Sequence, residues 1–386
     1  MGIIVLGSTG SIGVQTLDCI ENLGLSVSAM CAGRNFTLFE KQIRKFMPQA
    51  VAMSDEDAAN KLKDMISDLH IPVFSGEEGV LRLFDETESD ICVNGIVGVA
   101  GLRPTVAAAK KGMRIALANK ESLVVAGDEI KKLCRNHGAE IIPVDSEHSA
   151  VFQCLNGICP TDNDIQTIPS KIRRLILTAS GGAFYGKTNK DLSNVTAADA
   201  LLHPTWKMGK KITVDCATLM NKGFEIIEAA HLFDISEEKI DVVIHRESII
   251  HSMIEFNDSS VLAQMSYPDM RIAIQYALTY PEREVSPVSS ADFTSLPPLT
   301  FSKPDLDTFR APLLCREVIR KGGNSGAVLN VSNEIAVDAF LSNRIPFLRI
   351  TDFVEKMLGK YAVKSDPSIE ELIEIDKKIR TEEYPG

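Results

Sequence analysis

The chain has 386 residues, of which 45% are apolar and 24% charged. It is therefore long enough for two or three domains and is not a disordered, collagen-like or coiled-coil protein. Its 41 basic and 52 acidic residues give a formal net charge of −11, which argues against a nucleic-acid-binding surface and a polybasic membrane anchor.

Three features of the sequence indicate the cellular compartment: the apolar runs, the N-terminus and the cysteines. The longest nearly apolar run, 91–102, is too short to cross a bilayer. The first residues lack the basic segment of a signal peptide and the Ser or Thr of a myristoylation motif, so we expect neither. The eight cysteines lie mostly in apolar runs and never as Cys-x-x-Cys. We therefore expect a cytoplasmic protein without a membrane partner, whose thiols are reduced and mainly buried.

The first 150 residues alternate short apolar runs with amphipathic stretches, a pattern typical of a parallel sheet covered by helices on both faces. The predicted strands are 3–6, 26–31, 51–53, 73–74, 91–96, 114–118 and 141–144. The predicted helices are one that follows 7–13 and ends near 23, then 102–111 and 127–137. We therefore expect an α/β domain over 1–150.

The pattern changes after residue 151. Strands are predicted at 174–178 and 211–214, and the quick succession of strands at 241–245, 249–256 and 261–266 favours an open, largely antiparallel sheet. Helices are predicted at 221–233 and 269–279. The many Pro, Ser and Thr residues of 281–310 indicate an extended linker, and 311–386 has a helical pattern. The predicted division is thus 1–150, an α+β domain over 151–280, the linker over 281–310 and a helical domain over 311–386.

The first strand leads into a glycine-rich turn, Gly7-Ser-Thr-Gly-Ser-Ile-Gly13. Glycines at this spacing, before a helix, let backbone N–H groups approach a pyrophosphate; a purely structural tight turn is the alternative. The second strand ends at Gly33-Arg34-Asn35, with no acid for a ribose hydroxyl. Arg34 is suited to a 2′-phosphate, which favours NADP, unless it is a solvated surface arginine.

Two further predicted strands end in polar residues. Lys120 lies in Leu-Ala-Asn-Lys-Glu-Ser after one of them and has an ammonium for a substrate oxygen, or is a surface lysine beside an asparagine cap. Asp145 and Glu147 follow the next strand. Two apart in an extended segment, they would face the same way and suit Mg²⁺ or Mn²⁺; a helix N-cap Asp with a first-turn Glu would have the same sequence. His148 is interpreted as a group behind the ligands; a ligand or an ordinary buried histidine is the alternative.

Two loops suggest substrate contacts. Thr-Ala-Ser180-Gly-Gly follows a strand and suits a phosphate, or is a plain glycine turn. The stretch from His203 to Lys211 contains Trp206, which is the only Trp of the chain, with Met208 and three lysines. It predicts a mobile lid over a ligand, or a tryptophan that anchors a loop.

Helix spacing connects three residues of the segment after 220. Asn221 and Glu225 are four apart and Lys222 and Glu225 three apart, so they share one helix face. Asn and Lys at a helix start suit an anion, and Glu225 one turn later suits a metal, with Glu228 as the other candidate. A solvated Lys–Glu pair is the alternative.

Together, these segments are similar to the 1-deoxy-D-xylulose 5-phosphate reductoisomerase family over essentially the whole chain. The matching segments, in order, are GSTGSIG, IVGVAGL, LANKESLV, PVDSEH, TASGG, HPTWKMGKKITVD, ATLMNKGFE, IHSM, VLAQMSYPDMR and NEIAVDAF. The resemblance implies a Rossmann-type NADPH domain, a catalytic domain that carries the lid at 203–211, and a C-terminal helical domain, as a homodimer.

The resemblance also implies site residues. The implied metal ligands, for Mg²⁺ or Mn²⁺, are Asp145, Glu147 and Glu225, and these with Lys120 are the implied catalytic residues. The implied contacts to the phosphorylated sugar substrate are Lys120, Ser146, Glu147, Ser180, His203, Cys216, Asn221, Lys222 and Glu225, with Trp206 and Met208 in the lid. The implied NADPH contacts are Thr9, Gly10, Ser11, Ile12, Gly33, Arg34, Asn35, Asn119, Glu121 and Gly209.

The implied chemistry is an isomerisation followed by a reduction, which yields 2-C-methyl-D-erythritol 4-phosphate for non-mevalonate isoprenoid biosynthesis. A divalent cation acts as a Lewis acid on the ketone during the rearrangement, which is either a retro-aldol and aldol sequence or an alkyl shift, and NADPH supplies hydride. The chain departs from the family at two places. Cys216 stands where members commonly have Ser, and His-Arg-Glu-Ser (245–248) stands where many have His-Pro-Gln-Ser.

Two rival functions make different predictions. A non-catalytic NADP-binding sensor predicts a degraded carboxylate set, whereas all three carboxylates are present. An oxidoreductase of the semialdehyde dehydrogenase type needs a nucleophilic Cys with a His partner. Only Cys154 and Cys216 lie near motifs, and neither has such a partner by sequence.

Overall fold

A computed structural model describes residues 2–156, 168–206 and 208–385. The chain divides into two compact units. The first contains residues 1–119, 130–149 and 269–289, and the second contains 120–129, 150–268 and 290–386.

The first unit is built on a seven-stranded parallel sheet, as predicted. Its strands are β1 (Gly2–Leu6), β2 (Ser26–Ala32), β3 (Ala50–Met53), β4 (Val73–Ser75), β5 (Ile91–Asn94), β6 (Arg114–Leu117) and β7 (Glu140–Pro143). The strand order is β4-β3-β2-β1-β5-β6-β7. Residues 3–6 of the central strand are completely buried, because helices cover both faces of such a sheet.

Helices join these strands. Those wholly in the first unit are α1 (Ser11–Leu23), α2 (Phe36–Phe46), α3 (Glu56–Met65), α4 (Gly76–Glu86), α5 (Leu102–Lys110) and α13 (Met270–Thr279). Helix α13 packs against α1, β6 and β7, although it is far from them in sequence and was predicted at the end of the segment 151–280. Helix α6 (Lys120–His137), which has non-helical dihedral angles at Ala126, and helix α7 (Ser146–Asn156) each contribute residues to both units.

The second unit contains a four-stranded sheet of order β11-β10-β8-β9. The strands are β8 (Ile172–Ala179), β9 (Ile240–Ile244), β10 (Ile250–Phe256) and β11 (Val261–Met265). The pairs β8–β10 and β10–β11 are antiparallel and β8–β9 is parallel, so the predicted, largely antiparallel sheet is confirmed. Its helices are α8 (Ile168–Lys171), α9 (Asn189–Leu192), α10 (Ala197–Ala200), α11 (Lys210–Ala217), α12 (Met220–Phe233), α14 (Ala311–Lys321), α15 (Ser325–Leu341), α16 (Arg349–Lys360) and α17 (Ile369–Glu382).

The C-terminal region is helical, as predicted, but its core is shared. Val214 of α11 and Phe224 of α12 belong to the same buried cluster as Leu314, Leu329 and Phe353 of the C-terminal helices. Residues 281–310 form neither a helix nor a strand of either sheet, and Ser302 makes an isolated β-bridge to Ile244. None of the helices among the described residues is long and apolar enough to cross a membrane.

The predicted strand at 211–214 is wrong, because this segment is the first half of helix α11. Its β-branched residues Ile212, Thr213 and Val214 favour a strand by propensity alone. In the structure, however, the Lys211 ammonium pairs with Asp215 one turn later, at 2.8 Å, and Thr213 and Val214 are buried. Burial and this ion pair outweigh the weak intrinsic preference.

Candidate active site

The glycine-rich turn of the first unit connects β1 to α1 and requires glycine at two points. Gly7 has a φ of +76°. A Cβ on Gly13 would lie 2.2 Å from the Gly7 carbonyl oxygen, so any side chain there would push α1 away from the turn. Gly10 and Ser11 are exposed, and the helix start has no side-chain cap. The helix N-terminus is thus exposed and has no side-chain cap, and the pyrophosphate site at this turn stays a prediction.

Arg34 lies at the carboxyl end of β2, where the sequence predicts recognition of a 2′-phosphate. Its side chain is 88% exposed and its Nε lies 2.9 Å from an Asp55 carboxylate oxygen. Asp55 also accepts the Ala58 N–H as the N-cap of α3. The bond from the Ala58 N–H is the largest cause of the lowered pKa of Asp55; burial opposes it, and the Arg34 guanidinium lowers the pKa further. Asn35 caps α2 by accepting the Leu38 N–H at 3.2 Å.

Asn119, a predicted cofactor contact, is buried and has a structural role. Its amide donates to the carbonyls of Ile96 at 2.7 Å and Gly98 at 2.9 Å. A Cβ on Gly101 would lie 2.5 Å from the Asn119 side chain. Asn119 therefore holds the loop after β5 against the end of β6.

The carboxylates of Asp145 and Glu147 follow β7, but the extended backbone predicted for them is wrong. Ser146 and Glu147 are the first residues of α7, which corresponds to the alternative of a helix start. The carboxylate oxygens nevertheless lie within 4.8 Å of each other, with Asp145 directly before the helix and Glu147 in its first turn. The Ser146 hydroxyl donates to Glu147, and buried His148 has its Nδ1 3.9 Å from Asp145.

Glu225 is the centre of a buried charge cluster in the second unit. Its side chain accepts from Asn221 at 2.5 Å and from Lys120 at 3.3 Å, and it also pairs with Lys222. The Lys120 ammonium donates to the Asn221 side-chain oxygen at 2.9 Å. Glu225 is 0% exposed, Lys222 3% and Lys120 6%, so the alternatives of a solvated Lys–Glu pair and of a surface Lys120 are both wrong.

A second buried ion cluster was not predicted from the sequence. Lys211 of α11 lies 3.1 Å from Glu121 and 2.8 Å from Asp215, and Asn333 of α15 donates to Asp215 at 2.8 Å. Burial opposes ionisation of Glu121, but the charge of Lys211 lowers its pKa. The signal in the sequence was the i, i+4 spacing of Lys211 and Asp215, which the predicted strand concealed.

The loop after β8 contacts the start of the predicted lid. The ring Nδ1 of His203 accepts the backbone N–H groups of Trp206 at 2.9 Å and Thr205 at 3.2 Å. The proton of the ring is therefore on Nε2, which lies 2.9 Å from the Ser180 hydroxyl and donates to it. Burial, and then the charge of Arg246, lower the pKa of His203 to about 4. His203 is thus a neutral donor at physiological pH.

The remaining predicted residues lie around the start of α11. Gly209 is its N-cap, Met208 precedes it, and Lys207 lies outside the described residues. Trp206 is partly buried, with its ring centroid 6.3 Å from that of His251. Cys216 is partly exposed, whereas the six other described cysteines are buried; Cys159 lies outside the described residues. Burial, and then the charge of Glu225, raise the pKa of the Cys216 thiol.

The neutral state of His203 has a consequence for stability. Because its pKa in the folded protein is about 4 and that of an unfolded histidine is about 6.5, the unfolded chain binds a proton first as the pH falls. The contribution of neutral His203 to the free energy of unfolding is therefore complete above about pH 6.5, and it declines as the pH falls from about 6.5 to 4. We expect His203→Asn, which retains an acceptor near the Nδ1 position, to reduce the loss of thermal midpoint over this range. A variant with the same decline as the wild type would contradict this prediction.

Comparison with known proteins gives consistent results over almost the entire chain. Family models match residues 3–127 (1-deoxy-D-xylulose 5-phosphate reductoisomerase), 141–233 (its C-terminal domain) and 265–382 (DXP reductoisomerase C-terminal domain). Curated relatives named 1-deoxy-D-xylulose 5-phosphate reductoisomerase include one from Thermoanaerobacter pseudethanolicus, 48% identical over 98% of this chain and 97% of its own length. Another, from Phocaeicola vulgatus, is 45% identical over 98% and 97%.

Solved structures are also similar. One is described as DOX-P reductoisomerase in complex with NADPH, fosmidomycin and magnesium; it has a TM-score of 0.93 and 40% identity, with 99% of this chain and 97% of that chain covered. The 1-deoxy-D-xylulose 5-phosphate reductoisomerase from Zymomonas mobilis in complex with NADPH has a TM-score of 0.90 and 40% identity, with 98% and 97% covered. The chain belongs to the 1-deoxy-D-xylulose 5-phosphate reductoisomerase family.

Proposed function

We infer that this chain carries out the reaction of its family, the NADPH-dependent and divalent-metal-dependent conversion of 1-deoxy-D-xylulose 5-phosphate to 2-C-methyl-D-erythritol 4-phosphate in non-mevalonate isoprenoid biosynthesis. The observation that carries this inference is similarity over 98% of the chain to relatives that bear this name, with solved relatives bound to NADPH and magnesium. The test is to incubate the protein with this substrate, NADPH and Mn²⁺ and to follow the absorbance of the reduced cofactor. An absence of NADPH oxidation under these conditions would refute the assignment.

The donor set fits a hard divalent cation. Asp145, Glu147 and Glu225 offer only carboxylate oxygens, which Mg²⁺ and Mn²⁺ prefer. Within the first unit, two of these carboxylates already converge to within 4.8 Å. We propose that these three residues hold the cation, which when bound polarises the substrate carbonyl as a Lewis acid.

Lys120 and Ser146 are suited to orient the oxygens of the substrate. Lys120 carries a positive charge in a buried site and already donates to Asn221 and Glu225. An ammonium at this point can stabilise negative charge that develops on a substrate oxygen. Ser146 has a hydroxyl next to Glu147 and is proposed to donate to the substrate.

The phosphate of the substrate is proposed to bind at Ser180, His203, Asn221 and Lys222, with Cys216 beside them. The Nε2–H of neutral His203 and the Ser180 hydroxyl are hydrogen-bond donors, and Lys222 supplies a positive charge. The phosphate is remote from the reacting carbons, so its binding energy can drive closure of the lid over 203–211, with Trp206 and Met208 over the substrate.

NADPH is proposed to bind along the carboxyl edge of the parallel sheet. The exposed N-terminus of α1 supports a pyrophosphate site, and Arg34 supports a 2′-phosphate contact. The proposed contacts are Thr9, Gly10, Ser11, Ile12, Gly33, Arg34, Asn35, Asn119, Glu121 and Gly209. Asn119 contributes through the loop that it holds, and Glu121 through the ion cluster with Lys211.

The surroundings of the Cys216 thiol argue against the rival function, that of a Cys-dependent dehydrogenase. Such an enzyme needs a thiolate whose pKa is lowered by a histidine. Burial raises the pKa of Cys216, and the charged groups that act on it are Glu225, Lys120, Asp215 and Lys222. Cys216 is therefore a poor nucleophile.

Cys216→Ser tests whether this side chain lies beside the phosphate. A hydroxyl is a stronger donor than a thiol, so the variant is expected to lower KM for the substrate by less than about tenfold, since the other donors already compensate in part. Iodoacetamide should label wild-type Cys216 slowly, because its pKa is raised, and substrate should slow the labelling further. If KM is unchanged in the variant and iodoacetamide labels the wild type at the same rate with and without substrate, Cys216 is a structural thiol outside the pocket.

The assembly and compartment are also proposals. We propose a homodimer in the cytoplasm. Strand β11 is an edge of the second sheet, and its Val261 and Leu262 are 47% and 44% exposed; such an edge is suited to pair with a second copy. Light scattering coupled to size exclusion would measure the mass, and a monomer at micromolar concentration would contradict the proposal.

A further inference from the structure

The turn Ser180-Gly181-Gly182 has a backbone that only glycine adopts readily. Gly181 has a φ of +80° and Gly182 a φ of +66°. A Cβ on Gly182 would lie 2.4 Å from the carbonyl oxygen of Cys216, so the turn rests directly on the end of α11. The Ser180 hydroxyl accepts the Gly182 N–H at 3.3 Å and contacts His203. The conformation of this turn therefore determines where the proposed phosphate donors point.

Arg246 anchors this turn from its carbonyl side. Strands β8 and β9 are parallel neighbours with Ala179 paired to Ile244, so the residues that follow each strand emerge at the same edge of the sheet. One terminal guanidinium nitrogen of Arg246 donates to the carbonyls of Ser180 at 3.0 Å and Gly182 at 3.1 Å. The guanidinium also lies 5.0 Å from the ring centroid of Tyr185. Three contacts thus fix the head group of a partly buried side chain.

The charge of Arg246 is not neutralised by a carboxylate within the described residues. Its protein contacts there are the two carbonyls and the Tyr185 ring, which use one of its two terminal nitrogens. Most arginines in this chain pair with an acid, as Arg174 does with Glu255 and Asp241. The positive charge is felt nearby, since it contributes to keeping His203 neutral. Arg246 thus lies beside the proposed phosphate donors, and these contacts leave its positive charge and some of its N–H groups unused. Such an arginine is suited to bind an anion.

We propose that Arg246 is a positioning and specificity-determining residue for the substrate phosphate: it holds the 180–182 turn in its binding conformation and supplies positive charge to the bound dianion. This proposal rests on the proposed phosphate site. It concerns a position at which the sequence departs from the common His-Pro-Gln-Ser pattern of the family. A proline has neither charge nor donor, so the contact with the turn comes from the arginine of this chain.

The experiment compares Arg246→Met with Arg246→Lys, and with Arg173→Met as a matched control. Arg173 lies on β8 and its exposed side chain pairs with Glu255, away from the turn. Arg246→Met is expected to raise KM for 1-deoxy-D-xylulose 5-phosphate about tenfold or more, with kcat and the KM for NADPH within about threefold of the wild type. Arg246→Lys keeps the charge but not the planar fork, and its KM should lie between those of the wild type and Arg246→Met. Arg173→Met should have the KM of the wild type.

Calorimetric titration with a phosphonate analogue of the substrate gives a second readout, with the same ranking of affinities expected. The inference is overturned if the KM of Arg246→Met stays within twofold of the wild type. It is also overturned if kcat, NADPH affinity and thermal midpoint fall together without a selective rise in substrate KM, because the role would then be structural. Failure of the wild-type protein to oxidise NADPH would refute the proposed function instead, and the titration would still test Arg246.

Discussion

Glu225→Gln is expected to lower kcat by about 10³-fold, which corresponds to about 4 kcal/mol at about 1.36 kcal/mol per factor of ten. The substitution keeps the shape of the side chain and removes its charge. Two carboxylates then remain to hold the cation, and the ammonium groups of Lys120 and Lys222 lose the carboxylate that they share. Mn²⁺ affinity should fall with kcat, whereas the KM for NADPH should stay near that of the wild type.

The measurement needs a stability control, because an uncompensated buried charge typically costs about 3–5 kcal/mol. Assays should therefore run well below the thermal midpoint of the variant, with Mn²⁺ binding followed by electron paramagnetic resonance. Glu228→Gln is the comparison, since Glu228 lies one turn further along α12 and is also 0% exposed. If Glu228→Gln abolishes Mn²⁺ binding and Glu225→Gln retains it, the wrong carboxylate of this helix has been assigned.

Arg34→Ala should raise the KM for NADPH about 10- to 100-fold and leave the KM for NADH within about twofold. Only NADPH has a 2′-phosphate, and hydrogen bonds to charged groups are typically worth about 1.5–3 kcal/mol. Solvent screening reduces this value at a side chain that is 88% exposed. The ratio of the two KM values is thus the quantity to measure, by initial rates at saturating substrate.

Asp55→Asn is the matched control for Arg34. Asparagine caps a helix as well as aspartate does, so the bond to the Ala58 N–H at the start of α3 is retained. The variant loses the charge that competes for the Arg34 guanidinium at 2.9 Å. A modest decrease in the KM for NADPH, less than about threefold, is expected. Equal effects of Arg34→Ala on both cofactors would remove Arg34 from the cofactor site.

Local patterns in the sequence determined most of the secondary structure and much of the candidate site. Alternating apolar runs and the glycine spacing predicted the parallel sheet and the turn before α1, because both depend on residues close in sequence. The i, i+4 spacing in α12 predicted that Asn221 and Glu225 would meet, and they do, at 2.5 Å. The resemblance to the family supplied the proposed roles of these residues, which spacing alone left open.

Tertiary structure decided two things that the sequence pattern does not. One is the state of a segment whose preferences for helix and strand are nearly equal, and the other is which distant segments come into contact. The segment 211–214 has strand propensity but is helical, because burial and the Lys211–Asp215 pair outweigh a preference of less than about 1 kcal/mol per residue. Helix α13 packs on α1 of the first unit, across some 250 residues of sequence, as the contact of Cys19 with the Arg271 carbonyl illustrates. Arg246 meets the 180–182 turn only because β8 and β9 are neighbours in one sheet. Contacts of this kind depend on which surfaces are buried together, and no periodicity within one segment contains that information.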